Sequence, residues 1–315
     1  MNASDSQLAA VAEFGAAMAE VTGVEAVVDQ ALASIDTMLG FHHLLLMIHD
    51  LDTDRLTTIA SRGYDVVGIG SEVQVGQGVI GKVAETRRPM RIGNLQRMLA
   101  YVKTVQQSMS DGEAVNSVAL PGLPLARSQV AAPMIADGVL LGVIAAESEQ
   151  ALAFDDTAQL VLTIAAQLVA GALEWAEIIE RDGEPEPRPV DDTSRSSVAA
   201  QAAEPRPAAR LRHYTSDGST FIDDEYIIKG VAGRLLWKVA AEHVATGRAA
   251  YTNREARLDP ALDLPNFRDN FESRLVLLKR RLAERAAPLQ ISRTGRGRFE
   301  VSVLAPLILE RMDQS

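Results

Sequence analysis

Apolar residues recur at helical spacing over residues 5–39: Leu8, Val11, Phe14, Ala17 and Met18, a break at Gly23, then Val27, Val28, Ala31, Ile35 and Leu39. This predicts two amphipathic helices. The period then shortens to two. His42–His49 and Leu56–Ala60 read as strands joined by the turn-forming run Asp50-Leu-Asp-Thr-Asp54. A second hairpin is expected from Ser128–Ile135 and Val139–Glu147 around Ala136-Asp137-Gly138. Between the hairpins, the pattern predicts a helix over 79–86, a short strand Met90–Ile92 and a helical stretch near 95–107. A long helix over about 155–179 follows, with Val161, Ile164, Leu168, Gly171, Trp175 and Ile178 three or four apart and Leu160, Leu162 and Leu173 widening the stripe. Such a face exceeds what one sheet edge needs; either it packs on its own sheet or it also meets a second copy. The whole predicts an α+β domain, an antiparallel sheet with helices on both sides.

The pattern fails over residues 180–208. Five of the thirteen prolines, Pro185, Pro187, Pro189, Pro205 and Pro207, lie there among acidic, Ser/Thr and Ala-rich patches. With almost no large apolar residue, the stretch cannot offset its ordering entropy and is expected to be a disordered linker. It separates a domain at 1–179 from one at 209–315.

The second domain opens with Leu211–Tyr214 and Thr220–Ile222 around a Ser216-Asp217-Gly218 turn, a small hairpin. Asp223 and Asp224 are expected to cap a helix burying Ile227, Ile228, Val231, Leu235 and Val239 and ending at Gly247. Thr252-Asn-Arg-Glu255 has the spacing of a capping box, so a short second helix starts there. A third, over about 270–285, buries Phe271, Leu275, Leu278 and Leu282. Leu289–Arg293 and Phe299–Val303 then alternate as strands around Thr294-Gly-Arg-Gly297.

Charge divides where the pattern does. Residues 209–315 hold 18 basic and 14 acidic residues, net +4, so of the total −11 the part before residue 209 carries −15. Residues 268–298 hold nine basic residues against Asp269, Glu272 and Glu284, net +6. Any contact with nucleic acid must therefore be local to the second domain. The chain has no cysteine, which excludes disulfides, thiolate metal sites, sulfur nucleophiles and cysteine-attached chromophores. The first residues lack a positive leader segment and no apolar run reaches the roughly 18–20 residues of a spanning helix. A cytoplasmic protein without membrane contact is expected.

The first domain resembles a GAF domain. The likeness rests on Ser61-Arg62-Gly63-Tyr64, on Gly76-Gln-Gly-Val-Ile-Gly81 running into Val83–Met90, and on Val130–Met134, Gly142–Ala145 and Phe154-Asp155. It implies a sensory module that holds a small ligand between sheet and inserted helices, or that pairs as a dimer through its first and last helices. Motif position and strand alternation give Met47, His49, Arg62, Tyr64, Ile80, Met98, Tyr101, Gln129 and Ala131 as pocket candidates, with Arg62, Tyr64 and Gln129 supplying polar reach. Gly76, Gly78 and Gly81 either cradle a phosphate or simply turn the chain into a helix. His43 and His49 share a strand face but lie about 20 Å apart, so they cannot share one metal. No metal site is expected, and no cofactor is named by the residues.

The second domain resembles a winged helix-turn-helix, the effector domain of OmpR-type response regulators. The likeness is carried by Thr252–Glu255, by Arg274–Leu282 with its Leu-Lys-Arg-Arg-Leu, and by Ile291–Phe299 at the wing. It implies a recognition helix at 270–285 and double-stranded DNA as partner. Arg274, Lys279, Arg280 and Arg281 on that helix and Arg293, Arg296 and Arg298 on the wing are the expected DNA contacts, suited to phosphate more than to base edges. Glu272 and the long acidic connection Leu258–Phe267 depart from the pattern. The reading is a signal-responsive transcriptional regulator, not an enzyme. The alternatives are a winged helix that docks on a protein such as RNA polymerase or a signalling enzyme, and an RNA-directed effector.

Overall fold

A computed structural model describes residues 3–95, 118, 120–182, 207–264 and 270–313. The chain forms two compact units, Met1–Glu177 and Ile178–Ser315.

In the first, α1 (Ala3–Glu20) and α2 (Val24–Leu39) are followed by β1 (His43–Asp50), β2 (Arg55–Arg62), β3 (Glu72–Gln74), α3 (Gly78–Thr86), β4 (Met90–Ile92), β5 (Ser128–Ala136), β6 (Val139–Ser148) and α4 (Asp156–Asp182). The six strands form one antiparallel sheet in the order β3-β2-β1-β6-β5-β4. The two predicted hairpins are thus zipped together through β1 and β6, whose register sets Leu45 opposite Ala145 and Met47 opposite Val143. α2 starts after Gly23 and stops at Gly40, whose left-handed conformation lets its own N–H close on the Asp36 carbonyl and the Phe41 N–H on that of Ile35. Leu44 and Leu46 point to the α2 side, and Leu45 and Met47 to the α3 side, all fully buried. Alternation of side chains across a two-sided core thus explains the unbroken apolar run of β1.

Helix α4 corrects one expectation. Asp156–Arg181 spans 26 residues at mean hydropathy 1.4, long and apolar enough to cross a membrane. Its Leu162, Ala166, Val169 and Leu173 are buried, and Gln167 Nε2 donates to the Pro133 carbonyl of β5, so one face serves as a lid on the sheet. Leu160, Ile164, Leu168 and Trp175 stay 37–62% exposed along another face.

The second unit comprises β7 (Ala209–Tyr214), β8 (Thr220–Ile222), β9 (Glu225–Ile228), α5 (Gly230–Thr246), β10 (Ala250–Thr252), α6 (Asn253–Arg257), a 3-10 turn Pro260–Leu262, α7 (Phe271–Glu284), β11 (Leu289–Gly295), β12 (Arg298–Val303) and β13 (Leu307–Met312). One sheet runs β13-β7-β8-β9, with β13 parallel to β7; the other runs β10-β12-β11. The core joins Leu235, Leu236 and Val239 of α5 to Phe271, Leu278 and Leu282 of α7, with Phe299 stacked on Tyr251 at 5.4 Å. Gly233 permits α5 to lie on the β7–β8 turn, since a Cβ there would stand 1.9 Å from the Gly218 carbonyl oxygen.

Two elements differ from expectation. Residues 225–228 form β9 rather than the first turn of a helix: Asp223 and Asp224 have φ of 49° and 68° and make the hairpin turn, and α5 begins only at Gly230. β13 has no counterpart among the predicted elements. The expected helical stretch near 95–107 and most of the expected linker, 183–206, lie outside the described residues.

Candidate functional site

On the α3 side of the first sheet, Leu45, Met47, Ala131, Val143 and Ala145 meet Val79, Ile80, Val83 and Ala84 in an apolar layer. Met47 and Ile80 are buried within it, at 0% and 3% exposure. Farther along the same strands the face turns polar. Glu147 on β6 lies opposite His43 of β1 and Gln129 of β5. Its Oε1 accepts a hydrogen bond from Gln129 Nε2 at 3.0 Å, and its Oε2 from the Leu123 N–H at 3.0 Å and the Tyr64 hydroxyl at 3.3 Å. The His43 ring stands edge-on to Tyr64 with centroids 5.7 Å apart.

Burial raises the Glu147 pKa, and the three donors and His43 offset this only in part. Burial, reinforced by the Glu147 charge, also pushes the Tyr64 hydroxyl upward, so that it remains a donor. Glu147 has no lysine or arginine partner among the described residues. This carboxylate was absent from the sequence-based candidates. Its signal lies in the pairing, which sets it between Gln129 and His43 on an otherwise apolar face.

Other candidates fall elsewhere. His49 is on the α3 side but is buried at the far end of β1, its Nε2 3.0 Å from Asp54 Oδ1. Arg62 is not on the α3 side. Pairing sets it opposite Leu44, on the helix side, where its Nε donates to Asp36 Oδ2 at 2.6 Å. His42 Nδ1, 2.7 Å from Asp36 Oδ1, is the larger cause, with Arg62, of an Asp36 pKa held below the usual range. Met98 and Tyr101 lie outside the described residues.

The glycine loop closes on itself. The Gly76 N–H donates to the Gly81 carbonyl at 2.8 Å, Gln77 to Gln74 at 3.0 Å and Gly81 to Gln77 at 3.0 Å. A Cβ at Gly81 would stand 2.3 Å from the Gln74 oxygen, so glycine is required by close packing of α3 on β3. These three N–H groups are occupied within the loop, as in a turn that leads the chain into α3.

A half-open cavity of about 780 Å³ lies among α1, the end of α2, the start of β1, the end of β6 and the start of α4, and shares His43 and Glu147 with the polar cluster around Glu147. Phe41, Phe154, Glu147, Glu149, Asp155 and His42 are on its wall. Among the described residues, no group of three or more His, Asp or Glu side chains could hold a metal ion.

In the second unit the predicted cations separate into two sets. Arg274 and Arg281 are buried, at 8% and 1% exposure. Arg281 Nε and Nη2 donate to the Ile227 and Tyr226 carbonyls at 2.9 and 3.0 Å, and Nη1 to Glu284 at 2.7 Å. Neither side chain is available to a duplex, a correction with a plain cause: Phe271–Leu278 is buried throughout, because the run Leu275-Val-Leu-Leu278 is apolar on every face and makes α7 a core helix. Glu272 is likewise buried, accepting from Asn253 Nδ2, with Arg257 3.7 Å away. Lys279 and Arg280 are half-buried, and Arg293, Arg296 and Arg298 are exposed on the β11–β12 hairpin, where Arg293 pairs with Glu180 and Arg296 Nη2 donates to the Ile179 carbonyl at 2.6 Å. The capping box is formed as expected: Thr252 Oγ1 accepts from the Glu255 N–H at 3.1 Å.

Residues 21–174 match the GAF domain family and form a GAF sensory domain. Among solved structures, the chain is similar to the GAF domain of an Acinetobacter phosphoenolpyruvate-protein phosphotransferase (16% identity, 57% of this chain and 98% of that one, TM-score 0.46). It is also similar to a free methionine-R-sulfoxide reductase from Neisseria meningitidis in complex with its substrate (21%, 53% and 88%, 0.41). A third is a putative GAF sensor protein from Burkholderia vietnamiensis (16%, 57% and 95%, 0.42). No curated protein matches the chain.

Proposed function

We propose that the protein is a cytoplasmic, non-enzymatic transcriptional regulator in which the GAF domain senses a small molecule and the second unit is a winged helix that binds double-stranded DNA. One observation carries the reading: the order α5–β10–α6–α7–β11–β12 with the sheet order β10-β12-β11. This places a capped short helix before a longer one and ends in a hairpin that bears Arg293, Arg296 and Arg298. In this reading DNA is held mainly by the wing, assisted by Lys279 and Arg280 at the end of α7, through phosphates rather than base edges. The exposed stripe of α4, together with α1, supports a homodimer, in which two weakly cationic units engage one duplex.

The test is binding of the full chain to random-sequence duplex across a salt series. Arg296→Ala/Arg298→Ala should flatten the log–log salt slope by about two. No binding at low salt would overturn the reading. A second reading, docking on a protein such as RNA polymerase or a signalling enzyme, is favoured by the burial of α7 from Phe271 to Leu278, which leaves little helix for a groove.

A further inference from the structure

The last turn of α4, Ile178–Asp182, belongs to the second compact unit and lies on the β11–β12 hairpin. Its contact residue is Glu180, 3% exposed, with both carboxylate oxygens on the hairpin. Oε1 pairs with Arg293 Nη2, and Oε2 accepts from the Gly297 N–H at 3.1 Å. Beside it, Arg296 Nη2 donates to the Ile179 carbonyl at 2.6 Å. That carbonyl is among the last four of α4, which have no partner inside the helix and carry the negative end of its dipole.

The hairpin donors are held in place by contacts of their own. Arg293 Nε donates to the Gly295 carbonyl at 3.2 Å, which ties the guanidinium to its own turn. Gly297 has a φ of 63°, and its carbonyl accepts from the N–H of Asn253, the first residue of α6, at 2.9 Å. It is thereby anchored to the start of α6 while its N–H faces Glu180. A guanidinium and a backbone N–H that converge on one anion suit a phosphate oxygen as well as a carboxylate oxygen. Glu180 therefore stands where a duplex phosphate would bind, and two anions on one set of donors repel. Arg298, the next cation of the hairpin, has no ion pair among the described residues, so the masking is confined to Arg293 and Arg296.

Resting on the DNA-binding reading above, we propose that Arg293, Arg296 and the Gly297 N–H form a duplex-phosphate site on the wing and that Glu180 is its built-in competitor. Free protein keeps the site closed with the end of α4, and DNA takes it by displacing that turn. The turn continues the helix that lids the GAF sheet. A sensor ligand that loosens the end of α4 therefore opens the wing, and by linkage DNA favours the loosened end.

The test is binding of the full chain to random-sequence duplex across a salt series, comparing wild type with Glu180→Gln and Glu180→Ala. The first keeps the shape of the side chain and removes its charge; the second removes the contact. Each should tighten binding about tenfold, as when the closed form leaves about a tenth of the wild type competent. Each should also steepen the log–log salt slope by about one. Glu300→Gln, an exposed acid on β12 with no ion pair among the described residues, loses the same charge and should tighten binding much less. Wild type that binds DNA, with Glu180 variants no tighter than Glu300→Gln, would overturn the competitor and leave the DNA reading standing. Absence of binding by wild type and every variant at low salt would overturn both.

Discussion

Arg281 reaches from α7 to the strand β9, where its Nε donates to the Ile227 carbonyl oxygen at 2.9 Å from a side chain only 1% exposed. A guanidinium at this position is a fastener between helix and sheet. Arg281→Ala would leave two strand carbonyls without a donor, and it should lower unfolding free energy by about 3 kcal/mol. Denaturant titration of the full chain checks this. A variant of unchanged midpoint with weakened DNA binding would return Arg281 to the surface set.

Thr252 caps α6 and accepts from the Glu255 N–H at 3.1 Å. Thr252→Ala should cost about 1 kcal/mol, and Thr252→Ser should recover most of it, because the acceptor oxygen is restored. Paired denaturation curves decide the matter.

Glu147 makes stability depend on pH in an identifiable direction. Burial raises its folded pKa above the ordinary carboxylate value, so between the two the folded chain binds more protons than the unfolded one. Stability from this group therefore falls as pH rises through that window and is regained as pH drops. Wild type should gain on Glu147→Gln as pH falls from neutral into the ordinary carboxylate range, measured as the difference of their thermal midpoints. Asp36 and Asp259, whose pKa values are lowered by hydrogen bonds chiefly from His42 and Lys238, oppose this only as pH falls below about 3.8.

Leu160, Ile164, Leu168 and Trp175 make a continuous exposed face on α4, and beside them Gly171 has open space where a Cβ would stand. Ile164→Asp/Trp175→Glu should convert a dimer to a monomer while leaving the thermal midpoint of the isolated protomer nearly unchanged. Light scattering after size exclusion reads the mass directly. A wild-type chain that is already monomeric at high concentration contradicts the α1/α4 interface.

The elements with strong local periodicity were legible in the sequence, and the misses have physical causes. Asp223-Asp224 is good N-cap chemistry and equally good turn chemistry, and local residues cannot decide between them; the pairing of Phe221 with Tyr226 does. Leu307-Ile-Leu-Glu-Arg-Met312 lacks alternation because its outer positions Ile308 and Met312 are apolar too, and its partner β7 is remote in sequence. On α7 the basic residues Arg274, Lys279, Arg280 and Arg281 give the look of a cationic surface helix, whereas the four consecutive apolar residues Leu275–Leu278 are the mark of a helix buried all round. Glu147 at a strand end reads as solvated until cross-strand register shows what faces it. Tyr64 and Gln129 were found because motif position and alternation both pointed to them, and the structure joins them through that one unexpected carboxylate.

The parallel pairing of β13 with β7 has a kinetic meaning. Ala209 waits for Leu307, 98 positions later, before the edge of its sheet is complete. During synthesis that edge stays open while every helix of the unit emerges, so closure is a late event with a large loop entropy to overcome. The second unit should therefore reach its final form slowly and expose a strand edge meanwhile, making it the more chaperone-dependent part of the chain.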